Sequence, residues 1–344
     1  MHSKPNIFSV ATKELSQDGF LTWLLQWADS RVASFDESLN ETAKSFVRML
    51  LGQPASYEVT KVEAGRQWSN IDVWAEVNDE YFIAIEDKTT SGEHSQQLER
   101  YKQIAQEYYA DKGFKLIFIY LKTGNESAAT LQKVTEKGYA VIGRKPILAV
   151  LQERTVSNAI LVDFLEYLAS IENQTNSHSQ FENITSDWKA AEGFYIQLQE
   201  RLAQWSDWRY VANQTGGFLG FWYHWAEASD YSLYIQIENR LDGGIKLVVK
   251  IGDWDPSVDT LYSILAGLQP YAKKQELLLA KPDKFRSGST STLAIVKNAF
   301  PASDQGAFDI EAFLQVLAKL EMVLDEYVED AEKARIAISL GLEA

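Results

Sequence analysis

Residues 71–88 constrain this chain more tightly than any other stretch. Ile71-Asp72-Val73-Trp74-Ala75-Glu76-Val77 repeats with the period of two that marks a strand. Asn78-Asp79 is a turn pair and Tyr81 to Glu86 is strand-like again, so the segment predicts a β-hairpin. The second strand runs into three charges, Glu86-Asp87-Lys88. Alternation puts Glu86 and Lys88 on one face and Asp87 on the other, and hairpin register brings Asp72 towards Glu86.

The flanking sequence supplies an α/β frame. Leu15 to Ala28 has helical spacing through Phe20, Trp23, Leu24 and Trp27, and a second helix covers Glu41 to Leu51, stopping at Gly52. Tyr57 to Glu63 reads as a strand ahead of the hairpin. After it come a helix over His94–Tyr109, a buried strand over Leu116–Leu121, a helix over Ser127–Lys137, a short strand at Tyr139–Ile142 and a helix over Asn158–Ile171. That order predicts a mixed central sheet flanked by helices.

At 344 residues the chain exceeds one average domain. We expect a first domain over 1–172, a polar linker over 173–187 and a second domain over 188–344. The second domain reads as α+β with an antiparallel sheet. Its strands are expected at Trp208–Asn213, Phe218–Tyr223, Tyr231–Ile237 and Ile245–Ile251, and its helices near Trp188–Leu202, Ser257–Leu268 and Ile310–Ala337.

Composition excludes several functions. There are no cysteines, hence no disulfide scaffold, thiolate zinc site or cysteine nucleophile, and four histidines do not suit a multi-histidine metal site. No apolar run approaches the ~20 residues that span a bilayer. The first ten residues lack the apolar core of a secretory signal, so a cytoplasmic location is expected, with no membrane partner. The net charge of −15 argues against a surface coated for nucleic acid. It is unevenly spread: −5 over residues 1–80, +2 over 81–150 and −12 over 151–344. The middle segment is the least hostile to a polyanion.

Two converging carboxylates, Asp72 and Glu86, suit a hard divalent cation, because Mg²⁺ takes one or two carboxylates and keeps waters that phosphate oxygens replace. Such an ion polarises a phosphodiester and acidifies a bound water. Lys88 reaches the same space, where an ammonium stabilises charge in the transition state. The alternative is a surface hairpin with scattered salt bridges. On the next helix Gln97 and Tyr101 stand at i and i+4, on one face. Glu14 lies at the start of the first helix, where a carboxylate also favours the helix dipole.

Taken together these motifs resemble the PD-(D/E)XK nuclease superfamily, in a bacterial branch of uncharacterised members. Thr12-Lys13-Glu14-Leu15-Ser16-Gln17-Asp18-Gly19-Phe20-Leu21-Thr22-Trp23-Leu24-Leu25 is similar to its opening motif, a glutamate and a polar stretch before Phe-Leu-x-Trp-Leu-Leu. Asp72 matches its first catalytic aspartate, Glu86 and Lys88 its Glu-x-Lys, and Gln97-Leu98 with Tyr101 its Gln-Leu-x-x-Tyr. The resemblance covers residues 6 to about 125–150. It departs from the pattern at Ile71, where the superfamily name has proline, and at Asp87, where the branch often has asparagine.

The resemblance implies a restriction-endonuclease-like core. It implies that Glu14, Asp72 and Glu86 line a metal site, that Lys88 is the catalytic lysine, and that Gln97 and Tyr101 support it. The expected activity is hydrolysis of phosphodiester bonds, a Mg²⁺-dependent deoxyribonuclease in which Mn²⁺ substitutes. The expected partner is nucleic acid, DNA before RNA, with a protein partner or a homo-oligomer left open. The alternative is a catalytically silent nuclease fold that serves as a binding or regulatory module.

Smaller expectations concern the second domain. Trp205, Trp208, Trp222 and Trp225 with Tyr210, Tyr223 and Tyr231 make it aromatic-rich; a packed core is the first reading and base stacking the second. Lys281 to Ser289 is basic and turn-prone, read as a solvated loop before a phosphate contact. His94 is read as a surface residue.

Overall fold

The computed structural model describes residues 4–92, 96–213, 216–241, 243–252, 255–283, 285–286, 288–301 and 307–339. They form two compact units, Met1–Glu126 with Thr130–Gln174, and Ser127–Ala129 with Thr175–Ala344.

The first unit begins with helices α1 (Ile7–Val10), α2 (Glu14–Trp27) and α3 (Glu37–Leu51). Asp36 caps α3 through the Leu39 amide, and Gly52 ends it at φ +64°, where a side chain would be strained. Strands β1 (Val62–Trp68), β2 (Ile71–Val77) and β3 (Tyr81–Lys88) follow, then α4 (Gln97–Tyr109), β4 (Lys115–Lys122), α5 (Ala128–Glu136), β5 (Ala140–Gly143), α6 (Arg144–Leu151) and α7 (Ala159–Asn176). The five strands form one sheet in chain order. β1–β2 and β2–β3 are antiparallel, while β3–β4 and β4–β5 are parallel.

Helices cover both faces of this mixed sheet. On one side Val73, Ala75, Ile83, Ile85 and Leu121 pack against α2, α3 and α7 through Leu21, Phe46 and Phe164. On the other, Phe82, Ala84 and Phe118 pack against Leu98, Tyr101 and Tyr109 of α4 and Val134 of α5. β3 is buried along its whole length, as a strand between two neighbours under two helical layers must be.

Three local expectations need correction. The first strand lies at Val62–Trp68, not at Tyr57–Glu63. β1 is an edge strand with only Val62 buried, so it carries no clean alternation; Val59 is buried, and Asn78 holds the backbone of 58–61. Helix α6 is absent from the sequence reading because Pro146 interrupts its apolar run; the proline falls in the first turn, where no amide hydrogen is needed. The polar stretch read as a linker is largely helical. α7 runs on to Asn176, and α8 (Phe181–Ser186) leads to α9 (Trp188–Arg201). Its two apolar residues are anchors, with Ile184 fully buried and Phe181 stacked on Phe308.

The second unit continues with strands β6 (Ser206–Val211), β7 (Phe218–Glu227), β8 (Ser232–Arg240) and β9 (Gly244–Gly252), helix α10 (Val258–Lys274), strands β10 (Leu279–Ala280) and β11 (Thr290–Val296), and helix α11 (Ile310–Ser339). All six strands pair antiparallel in the order β10-β11-β9-β8-β7-β6. β10 and β11 are additions to the four strands expected; a Thr- and Ser-rich start hides β11. One sheet face packs on α9, α10 and α11 through Phe221, Ile235, Val249, Phe194, Leu268 and Phe313.

Candidate active site

The hairpin turn sets the register of the site. Asn78 and Asp79 both have positive φ, +55° and +53°, the geometry of a tight turn that matches strand twist. The Asn78 side chain accepts from the amides of Thr60 and Lys61 at 3.0 and 3.1 Å and donates to the Glu58 carbonyl at 2.7 Å. From that pinned end the pairs run from Val77 with Tyr81 to Val73 with Ile85. One further step sets Asp72 opposite Glu86.

Alternation then divides the charges. Glu86 and Lys88 point to the α4 side with Asp72. Lys88 Nζ donates to Glu86 Oε1 and, at 3.2 Å, to the Asp87 carbonyl, and lies 3.8 Å from Asp72 Oδ2. Asp72 Oδ2 also accepts the Asp87 amide at 3.0 Å. Glu86 is 2% exposed and its Oε2 is buried with no hydrogen-bond partner.

Burial and the adjacent Asp72 carboxylate push the Glu86 carboxyl up to about 8, against the pull of Lys88. Burial alone lowers Lys88, but Glu86, Asp72 and Glu14 outweigh it and its affinity for a proton is raised. The two shifts point opposite ways about whether the pair is ionised. The ammonium keeps its proton, and Glu86 gains one because it is buried beside the partly exposed Asp72 carboxylate and the two share a single lysine.

The remaining candidates lie around this centre. Glu14 reaches the end of β3 from the first turn of α2, and its Oε1 accepts from the Thr89 amide at 3.2 Å and from Ser91 Oγ at 2.5 Å. Gln97 and Tyr101 bond to each other, Nε2 to Oη at 2.8 Å, on the same side of the sheet as Glu86. Among the described residues neither bonds to Asp72, Glu86 or Lys88. His94 falls outside the described residues. So Asp72, Glu86 and Lys88 converge, Glu14 joins them through backbone, and Gln97 with Tyr101 forms a separate pair.

Among the described residues no group of three or more carboxylates or imidazoles is arranged to hold a metal. A two-carboxylate site remains. Asp72 and Glu86 offer only oxygen donors, and one of them is buried and unsatisfied. That donor set fits a hard divalent ion that keeps most of its waters.

Asp87 lies on the opposite face as alternation requires, but its partners and several neighbours of the site escaped the sequence reading. Asp87 points to the α2 side, fully buried, where Gln17 Nε2 donates to its Oδ1 at 2.6 Å. Burial and the neighbouring Asp18 raise Asp87 well above the ordinary carboxylate range. Asp18 is pushed up to about 6, by burial and by Asp72. A proton held by Asp87 satisfies both acids. Gln17 Oε1 accepts from Thr123 Oγ1 at 2.9 Å, the Thr123 carbonyl accepts from Arg144, and Arg144 pairs with Glu172 at 2.8 Å. This chain ties β3 to α2, β4, α6 and α7.

Lys122 is paired with Lys88 in the parallel register, is 3% exposed, and donates to the Ser91 carbonyl while lying 3.5 Å from Glu126. Gly124 packs so closely that a Cβ would collide with the Thr89 carbonyl. One signal for this layer was present in the sequence. Gln17, Leu21 and Leu24 share a helical face, and a glutamine on an apolar stripe needs a buried partner.

A comparison with curated proteins and one with solved structures give no match. A family model described as the PD-(D/E)XK nuclease superfamily matches residues 5–190. That span holds the five-stranded mixed sheet, the Asp72–Glu86–Lys88 cluster and the helix bearing Glu14. It exceeds half of the chain, which therefore belongs to the PD-(D/E)XK nuclease superfamily.

Proposed function

We propose that the first unit, over about residues 1–172, is a metal-dependent deoxyribonuclease that hydrolyses phosphodiester bonds. The observation that carries this is the convergence of Asp72, Glu86 and Lys88 around a buried carboxylate oxygen without a partner. In this reading Asp72 and Glu86 would hold Mg²⁺, or Mn²⁺ in its place. Such an ion supplies positive charge to a phosphoryl oxygen and lowers the pKa of a bound water.

The protein's own groups do the rest. Lys88 is held by Glu86 and the Asp87 carbonyl, and its ammonium orients the attacking water and offsets charge on the phosphoryl oxygens. Among the described residues Glu14 is not grouped with Asp72 and Glu86 as a third ligand; from α2 it holds the backbone at Thr89, so the strand end keeps its shape. Gln97 and Tyr101 brace α4 beside the carboxylates. The segment 81–150, net +2, is the part of the sequence least hostile to a polyanion. Among the described residues no helix is long and apolar enough to cross a membrane.

The test is cleavage of plasmid, linear duplex, single-stranded DNA and RNA with Mg²⁺ or Mn²⁺ at low salt. Lys88→Ala is expected to abolish cleavage and keep metal binding; Asp72→Ala is expected to lose both. A wild-type chain that cleaves none of these and gives no calorimetric signal for either ion at millimolar concentration would refute the proposal. The non-catalytic binding module would then take its place.

A further inference from the structure

The aromatic residues of the second unit divide between the two faces of its sheet. Trp208, Phe221 and Tyr223 point inward and are buried in the core. Trp222, Trp225 and Tyr234 point outward, into a groove of about 510 Å³ on the face opposite that core.

Strict alternation along β7 would not produce that set. Phe218, Gly220 and Trp222 alternate outward, so position 224 should follow and Trp225 should point inward. The register shifts between Tyr223 and Trp225, and His224 takes φ +54°. This bulge returns Trp225 to the outward face. Its ring stacks on Tyr234 with centroids 5.5 Å apart and planes at 17°, and Trp205 adds a further ring 5.4 Å from Trp225. His224 is held on the other side by Gln204 at 2.9 Å and Asp325 at 3.0 Å. A left-handed, non-glycine residue costs on the order of 1–3 kcal/mol, and what it provides here is an outward tryptophan.

The polar groups of the groove have the opposite charge to their surroundings. Residues 151–344 carry −12, yet Arg209, Arg240 and Lys250 line the groove against Glu238 alone. The Arg209 guanidinium lies 5.3 Å over the Trp222 ring. On the floor, Gln236 donates to Glu238 at 2.9 Å and Lys250 to Thr292 Oγ1 at 3.1 Å. Flat rings for stacking, cations at the rim and amide and ammonium donors below match one class of ligand.

We propose that this sheet face binds single-stranded nucleic acid, with bases stacked on Trp222, Trp225 and Tyr234 and phosphates met by Arg209 and Arg240. Duplex does not fit the stacking mode, because its bases present no free faces. The binding is independent of metal, so it stands or falls apart from the nuclease reading.

The experiment is a fluorescence-anisotropy titration of the full chain into labelled oligothymidylate of about twelve nucleotides, in excess EDTA. An oligouridylate arm separates DNA from RNA. Binding is expected, weakened about five- to hundredfold by Trp222→Ala or Trp225→Ala, at the usual value of one stacked base. Trp225→Phe, which keeps a ring, is expected to retain most of the affinity and controls for folding. Arg209→Ala is expected to flatten the log–log salt slope by about 0.7. No binding by wild type, or unchanged affinity in both tryptophan variants, overturns the proposal. So does a duplex that competes as well as the single strand. Cleavage by wild type together with unaffected groove variants would leave the nuclease standing and remove the groove. Binding lost in the variants of a chain that cleaves nothing would do the reverse.

Discussion

Glu86→Gln in the metal-free protein tests the electrostatics of the site directly. The Glu86 carboxyl titrates near 4.5 when unfolded and at about 8 in the fold. A raised carboxyl pKa means that the folded state holds a proton which the unfolded state releases. Its contribution is therefore complete below about pH 4.5 and is lost as pH rises to about 8. At 1.36 kcal/mol per unit, the loss is on the order of 1 kcal/mol at pH 5, 3 at pH 7 and 5 at pH 9. Glutamine keeps the shape and has no proton to lose. Urea unfolding in EDTA should show the variant gaining on wild type steadily from pH 5 to 9, by several kcal/mol in total. Saturating Mg²⁺ should narrow the difference, since a ligand at a hundredfold its Kd adds about 2.7 kcal/mol to wild type alone. A stability difference that stays flat with pH would refute the assignment of Glu86 as the group that carries the extra proton.

Three other outcomes follow from the layer behind the site. Asp87→Asn should fold as well as wild type or better, because its amide replaces a protonated acid beside Gln17 and Asp18; Asp87→Ala should cost about 1–3 kcal/mol in the same urea assay, by leaving Gln17 without its acceptor. Arg144→Ala should cost about 1–3 kcal/mol and lower the melting temperature, since it removes the closest ion pair of the partly buried Glu172 and a donor from the Thr123 carbonyl.

The hairpin was legible because its signals are local: a period of two, a turn pair and charges at one end. The convergence of Asp72 with Glu86 followed from them. The parallel neighbour β4 was legible for the same reason, as a short apolar run. β1 was not, because an edge strand with one buried residue has no pattern to read. The second layer of the site was hidden for a different reason. Gln17 meets Asp87 across 70 positions and Thr123 across 106, and no spacing rule spans such distances. Glu14 was found only by family resemblance, since its partners are a backbone amide and a serine 75 and 77 positions away.

The hairpin also has a direction. Its turn is clamped by Asn78, whereas its open end carries two acids that repel once Glu86 gives up its proton. Opening of a strand pair starts where the pairing is weakest, so β2 should peel from the site towards the turn. Amide hydrogen exchange along β2 would read this as a gradient, fastest near Val73 and slowest near Val77. The free energy of opening at the fast end should shrink as pH rises through the titration of Glu86, while the slow end follows global unfolding. Metal should erase the gradient, making occupancy of the site visible as protection of a few backbone amides before any substrate is added.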